Sequence, residues 1–145
     1  MKVISRNKKA SFNYELLDEY QAGISLLGSE IKSVRLGKVS MDGSYVSIDS
    51  KGAWLKQVNI EKYEFSQDNH DPLRNRQLLL KKSELKKLRR SLEEKGFSIV
   101  PTAIGISKRG HAKVDIAVAK GKTKADKRET IKAREFDRKK KELLG

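Results

Sequence analysis

The sequence predicts a mainly β domain, an antiparallel barrel or sandwich of short strands with flanking helices, followed by a basic tail. Three observations carry this. A chain of 145 residues is long enough for one real core and too short for two independent catalytic domains. Before residue 120 its apolar residues fall in short runs enriched in β-branched and aromatic types, which suit pleated, half-buried segments. Glycines punctuate those runs at positions 23, 28, 43, 52, 105 and 110, where tight turns and closely coiled strands need a missing Cβ.

Taken in order, strands are expected at Phe12–Leu17, Ala22–Leu27, Ser44–Ile48, Ala53–Val58, Gln77–Leu80, Ser98–Ser107 and Lys113–Ala119. Two helices interrupt them. In "SEIKSVR" Ser29 is the expected N-cap, with Ile31 and Val34 facing inward and Lys32 and Arg35 outward. In "KKSELKKLRRSLEEKG" Ser83 is the expected cap, Leu85, Leu88 and Leu92 form an inward stripe, and Gly96 marks the stop. "SQDNHDPLRNR" is polar and contains proline, so it reads as a loop that carries His70, Arg74 and Arg76 to the surface.

Charge narrows the function. The chain holds 33 Lys and Arg against 19 Asp and Glu, a net +14, which points to a polyanionic partner: nucleic acid first, an anionic membrane surface second. Residues 120–145 contribute 11 basic and 5 acidic side chains to this surplus and few apolar ones. A boundary therefore falls there, between a 1–119 β domain and a 120–145 tail. No apolar run approaches a spanning helix or a signal peptide, so a cytoplasmic protein is expected. The absence of cysteine removes disulfides, thiol nucleophiles and thiolate metal sites, and no metal or cofactor is expected.

Two local motifs fail on physical grounds. Gly121-Lys122-Thr123 matches the end of a phosphate-binding loop, but the glycine such a loop requires five residues earlier is Ile116, inside an apolar strand-forming run. Gly121 instead marks the exit from the last strand. His70 beside Asp71 could form a proton-transfer pair, although a loop-ordering hydrogen bond is the simpler reading. The basic surface with interleaved rings is the stronger signal. Tyr14, Tyr20, Tyr45, Trp54, Tyr63 and Phe65 supply a small barrel with core or with base-stacking surface. In the tail, Lys127, Arg134, Arg138 and Lys141 share one side of a helical wheel with Ile131. A helix over 126–144 would be about 28 Å long and suited to a polyanionic groove. Alone in water its apolar set is too small to hold a core contact, so folding on binding is expected.

Five stretches, in order and covering almost the whole chain, resemble the SmpB (small protein B) family, which binds transfer-messenger RNA. They are "NKKA" (7–10), "YQAGISLLGSEIKSVRLGK" (20–38), "NHDPLRNRQLLL" (69–80), "KGFSIVP" (95–101) and "AKGKTKADKRETIKAR" (119–134). The resemblance implies an oligonucleotide-binding-type antiparallel β-barrel and a non-enzymatic adaptor of trans-translation. Its partners would be the tRNA-like domain of transfer-messenger RNA, elongation factor Tu with the alanyl-charged RNA, and the decoding centre and empty mRNA channel of a stalled ribosome's small subunit. The protein would act as a monomer.

By position, the resemblance assigns RNA binding to Asn7, Lys8, Lys9, Gln21, Glu30, Lys32, Asn69, His70, Arg74, Arg76, Leu79 and Lys113. It assigns the ribosome to Lys120, Gly121, Lys122, Lys124, Asp126, Lys127 and Arg128, with the basic stripe of Arg134, Arg138 and Lys141 alongside. Leu79 is the exception to a polar set, since its residue type alone reads as core. Three positions depart from the family pattern: Gln21 replaces a frequent Glu, Thr123 a usual Lys, and Ala125 a Tyr or His expected to stack on a base. An RNA-modifying or RNA-cleaving enzyme, with His70 as its candidate base, and a structural ribosomal protein are the readings from other classes.

Overall fold

The computed structural model describes residues 1–122. Residues 123–145 lie outside the described part, and with them the expected tail sites Lys124, Asp126, Lys127, Arg128, Arg134, Arg138 and Lys141. Nine strands and three helices follow in the order β1 (Lys2–Arg6), α1 (Lys8–Asn13), β2 (Tyr14–Ile24), α2 (Gly28–Arg35), β3 (Val39–Ser40), β4 (Tyr45–Asp49), β5 (Gly52–Lys56), β6 (Asn59–Ile60), β7 (Arg76–Leu79), α3 (Lys82–Glu93), β8 (Phe97–Ile106) and β9 (Ala112–Gly121). Seven strands make one antiparallel sheet in the order β1-β8-β9-β2-β7-β5-β4, and β3 pairs with β6 separately.

The expected closed barrel is not what forms. Among the described residues the large sheet has two free ends, β1 and β4; β4 returns beside β8 without pairing to it. The reason lies on the edge of β8 that a closing strand would need. β1 already pairs there, from Lys2 with Ile106 to Arg6 with Ala103. Farther along, Asn7 takes Thr102 O through its N–H (2.8 Å) and Pro101 O through Nδ2 (2.8 Å), and Pro101 has no N–H to offer. The resulting seam holds a cleft of about 400 Å³ between Asn13, Tyr14, Tyr45, Val46, Ser98 and Val100.

The core follows the strand period. On β9, Ala112, Val114 and Ile116 are buried while Lys113 and Asp115 alternate outward. They pack with Ile99 and Ile104 of β8, Leu55 of β5, Leu78 of β7, Val34 of α2 and Leu88 of α3. Beyond Ile116 the alternation stops and Ala117, Val118 and Ala119 are all buried. There α1 covers the second face, its Ala10 resting on Val100 and Ala119.

Several expectations need correction. The two strands expected at 12–17 and 22–27 are one long β2, and Phe12 and Asn13 belong to α1. The gap between the two expected strands adjoins a register shift between Leu16 and Glu19 opposite β9, a bulge within a continuous strand. Neither serine caps its helix. The N-caps are Leu27 and Lys81, because in each helix the glutamate after the serine reaches back: Glu30 Oε1 accepts from Leu27 N–H at 2.8 Å and Glu84 Oε1 from Lys81 N–H at 3.0 Å. Each helix therefore starts earlier than the serine suggests. β9 continues past Ala119, pairing Lys120 with Glu15 and Gly121 with Tyr14, and Lys122 N–H donates to Asn13 O.

Candidate nucleic-acid interface

Ten of the twelve residues assigned to RNA fall into three places, and the other two, Lys32 and Asn69, both meet Tyr63. At α1, Asn7 is a fixed N-cap: Oδ1 accepts from Ala10 N–H at 3.3 Å while Nδ2 holds Pro101 O. Lys8 and Lys9 are exposed beside it, with Lys9 Nζ 3.4 Å from Asp42 Oδ2. The turn that carries these lysines is thereby tied to β8.

The second place is a buried junction between α2 and the 61–75 loop. Glu30, fully buried, is its centre. Oε1 accepts from Leu27 N–H and from Arg74 Nη2 at 2.6 Å; Oε2 accepts from Arg76 Nε at 2.6 Å and Arg74 Nε at 3.4 Å. Burial alone would push the Glu30 carboxyl up, but the hydrogen bonds from Arg74, Leu27 N–H and Arg76 outweigh it and hold the group below its ordinary value. Arg76 is also wholly buried and donates to Val58 O (2.6 Å), Pro72 O (3.1 Å) and Asp71 O (3.4 Å). A guanidinium with five fixed donors suits this task, since it reaches three carbonyls at once, two of which, Pro72 O and Asp71 O, also accept the N–H groups of Ile60 and Arg74.

His70 completes the junction and corrects two expectations. It lies inside, 4 % exposed, and its partner is not Asp71. Nδ1 lies 2.8 Å from Ser29 Oγ and Nε2 2.8 Å from Ile60 O. A carbonyl only accepts, so Nε2 donates to it, while the Ser29 hydroxyl engages the other ring nitrogen. Asp71 Oδ1 instead accepts from Leu73 N–H at 2.9 Å. Of the loop residues expected at the surface, His70 and Arg76 are thus internal, and only Arg74 is partly open to solvent. With both ring nitrogens engaged, His70 presents no free base. Its serine partner could not be found from sequence, because Ser29 had the more obvious reading of a helix cap.

The third place is the outer face of the sheet. β2 brings Gly23 opposite Lys113 of β9 on one side and Leu79 of β7 on the other, and Gln21 opposite Asp115. Gln21 Nε2 donates to Asp115 Oδ1 at 3.2 Å. Leu79 is 61 % exposed, so its apolar type misled and its assignment to the surface fits. Its side chain stands over Gly23, where an added Cβ would meet Leu79 Cβ at 3.2 Å. Shallow grooves of about 540 and 290 Å³ run on its two sides, both floored by Gly23 and Lys113. Lys120 and Gly121 are exposed at the end of β9, and Lys122 turns its Nζ to Ser11 O at 2.9 Å.

Of the six rings read as core or stacking surface, Tyr14, Tyr20, Trp54 and Tyr63 are half-buried, Tyr45 is 38 % exposed and Phe65 is 79 % exposed.

Known proteins resemble this chain closely in sequence. SsrA-binding proteins of Cytophaga hutchinsonii and Anaplasma phagocytophilum are 48 % and 47 % identical over 134 and 141 residues, covering 92 % and 97 % of this chain and 88 % and 95 % of theirs. A chain from a solved structure described as "tmRNA-SmpB: a journey to the center of the bacterial ribosome" superposes with a TM-score of 0.71 at 41 % identity, covering 88 % of this chain and 93 % of its own. The family model "SmpB protein" matches residues 4–145, taking in the sheet, the Glu30 junction and the basic tail alike, and the chain belongs to the SmpB family.

Proposed function

We propose that this chain is a non-enzymatic RNA-binding adaptor that binds the tRNA-like domain of transfer-messenger RNA and serves trans-translation, the rescue of stalled ribosomes. The observation that carries the reading is the family match over residues 4–145, whose relatives are named for binding SsrA RNA. The net charge of +14 agrees with a partner bound largely through phosphates. In this reading Lys8, Lys9, Gln21, Lys32, Arg74, Leu79 and Lys113 meet the RNA. Asn7, Glu30, Asn69, His70 and Arg76 hold the loops that present them. The tail beyond Lys122 forms a separate working part that enters the decoding centre and the empty mRNA channel of the small subunit, becoming helical there, with Lys120, Gly121 and Lys122 at its root. The protein works as a cytoplasmic monomer and travels with elongation factor Tu on the alanyl-charged RNA.

The test is to recover the intact protein from its own cells and sequence the RNA bound to it. One dominant, uncleaved transfer-messenger RNA in stoichiometric amount is expected. A broad spectrum of RNAs, ribosomal RNA alone, or cleaved products would sink the reading.

A further inference from the structure

The 61–75 loop carries a feature that neither the junction nor the sheet face uses. Phe65, a bulky apolar side chain, is 79 % exposed. It meets the Tyr63 ring edge-on, with centroids 5.6 Å apart and planes at 69°. Lys32 Nζ of α2 stands 5.4 Å from the Tyr63 centroid. The loop is held for this display. Asn69 Oδ1 accepts from Tyr63 N–H at 2.9 Å, and Asn69 Nδ2 donates to Tyr63 O and Ser66 O, each at 2.9 Å. Ser66 N–H closes a turn onto Tyr63 O at 3.1 Å, so Phe65 projects from a closed turn, not from a slack loop.

From this geometry we propose that Phe65, braced by Tyr63 and Lys32, is a stacking platform for an unpaired base of the bound RNA. The proposal rests on the RNA-binding reading above. Local charge distinguishes a base from a phosphate as the group that lands there. Glu61, Glu64 and Asp68 accompany only Lys62 in this part of the loop, so the turn itself repels phosphate, although the chain as a whole attracts it. A ring face is indifferent to that charge and takes any base. Lys32, against the Tyr63 ring, places a cation where the backbone flanking a stacked base would run. The engagement of both Asn69 side-chain groups by the turn gives this residue the role of positioning the platform.

The test measures affinity for the fluorescein-labelled tRNA-like domain of transfer-messenger RNA with the full-length protein and with Phe65→Ala, Phe65→Leu and Phe65→Trp. Because Phe65 is exposed, all four should melt together. Phe65→Ala should weaken binding about 5- to 150-fold, the range of base–aromatic stacking. Phe65→Trp should restore it and Phe65→Leu should not. The slope of log affinity against log salt should stay unchanged in Phe65→Ala, since no phosphate contact is lost, and become shallower by about 0.7–0.9 in Lys32→Ala. Unaltered RNA affinity in Phe65→Ala, as expected if the ring docks on a protein instead, overturns the platform while leaving the RNA-binding reading intact. So does rescue by leucine as complete as by tryptophan. Failure of the unaltered protein to bind this RNA overturns both.

Discussion

At the residue scale, Glu30 decides most. One carboxylate serves the N-terminus of α2, Arg74 and Arg76, and Arg76 extends that hold to three carbonyls of the following segments. Removing one partner leaves the other as a buried unpaired charge, which costs about 3–5 kcal/mol. Glu30→Gln should therefore destabilise the protein by that order in urea titrations at neutral pH. The acid behaviour follows from the direction of the shift. A carboxyl depressed in the folded state contributes fully above its unfolded value, near 4.3, and loses that contribution as pH falls through the folded value. The unaltered protein should lose stability below about pH 4.3, and Glu30→Gln should lack this part of the acid limb. Leu79 is the opposite case. Leu79→Ser removes an exposed side chain, so stability should move by no more than about 0.5 kcal/mol. Affinity for the tRNA-like domain should fall at least about fivefold, the loss expected for some 40 Å² of apolar contact. Parallel losses in both measurements would place Leu79 in the fold and not at the interface.

At the scale of elements, β1 and the end of β9 are the informative pieces. β1 crosses Gly105 so closely that a Cβ there would lie 2.2 Å from Lys2 O, a backbone atom that cannot swing aside. Gly105→Ala should therefore detach β1 from β8, costing about 1–3 kcal/mol and exposing the amides of residues 2–6 to rapid hydrogen exchange. At the other end, β9 pairs through Gly121, so the proposed division between body and tail is best tested by ending the chain after Lys122 and not after Ala119. That truncation should preserve affinity for transfer-messenger RNA and abolish tagging on stalled ribosomes. Equal loss of both would dismiss the division. Within the tail, charge reversal at Lys127, Arg134 and Arg138 should impair tagging more than reversal at Glu129 and Asp137, and equal impairment would dismiss the striped helix.

At the scale of the whole molecule, a surplus of 14 positive charges makes affinity a function of salt. If six to ten phosphates are neutralised, binding of the tRNA-like domain should weaken about 10³- to 10⁵-fold between 50 and 200 mM salt; a flat response in filter-binding titrations would contradict a phosphate-dominated interface. Wherever period and residue type agree, the sequence is a sufficient guide: the β4–β5 hairpin, β7, β8, β9 and the leucine stripe of α3 lie within a few residues of where alternation and spacing put them. It misleads where one local signal has two physical outcomes. A serine followed by a glutamate looks like a cap, but the glutamate caps in its place; two apolar runs look like two strands, but one bulged strand carries both. Composition, alternation and the order of the matched stretches thus suffice for the mainly β class and the family, because these depend on residue types and their local spacing. Whether the sheet closes, which side of it Leu79 occupies, and that His70 and Arg76 are internal braces depend on contacts between residues far apart in the chain. Ser29 lies 41 residues from His70, Glu30 46 from Arg76, and Asn7 94 from Pro101, and only folding brings them together.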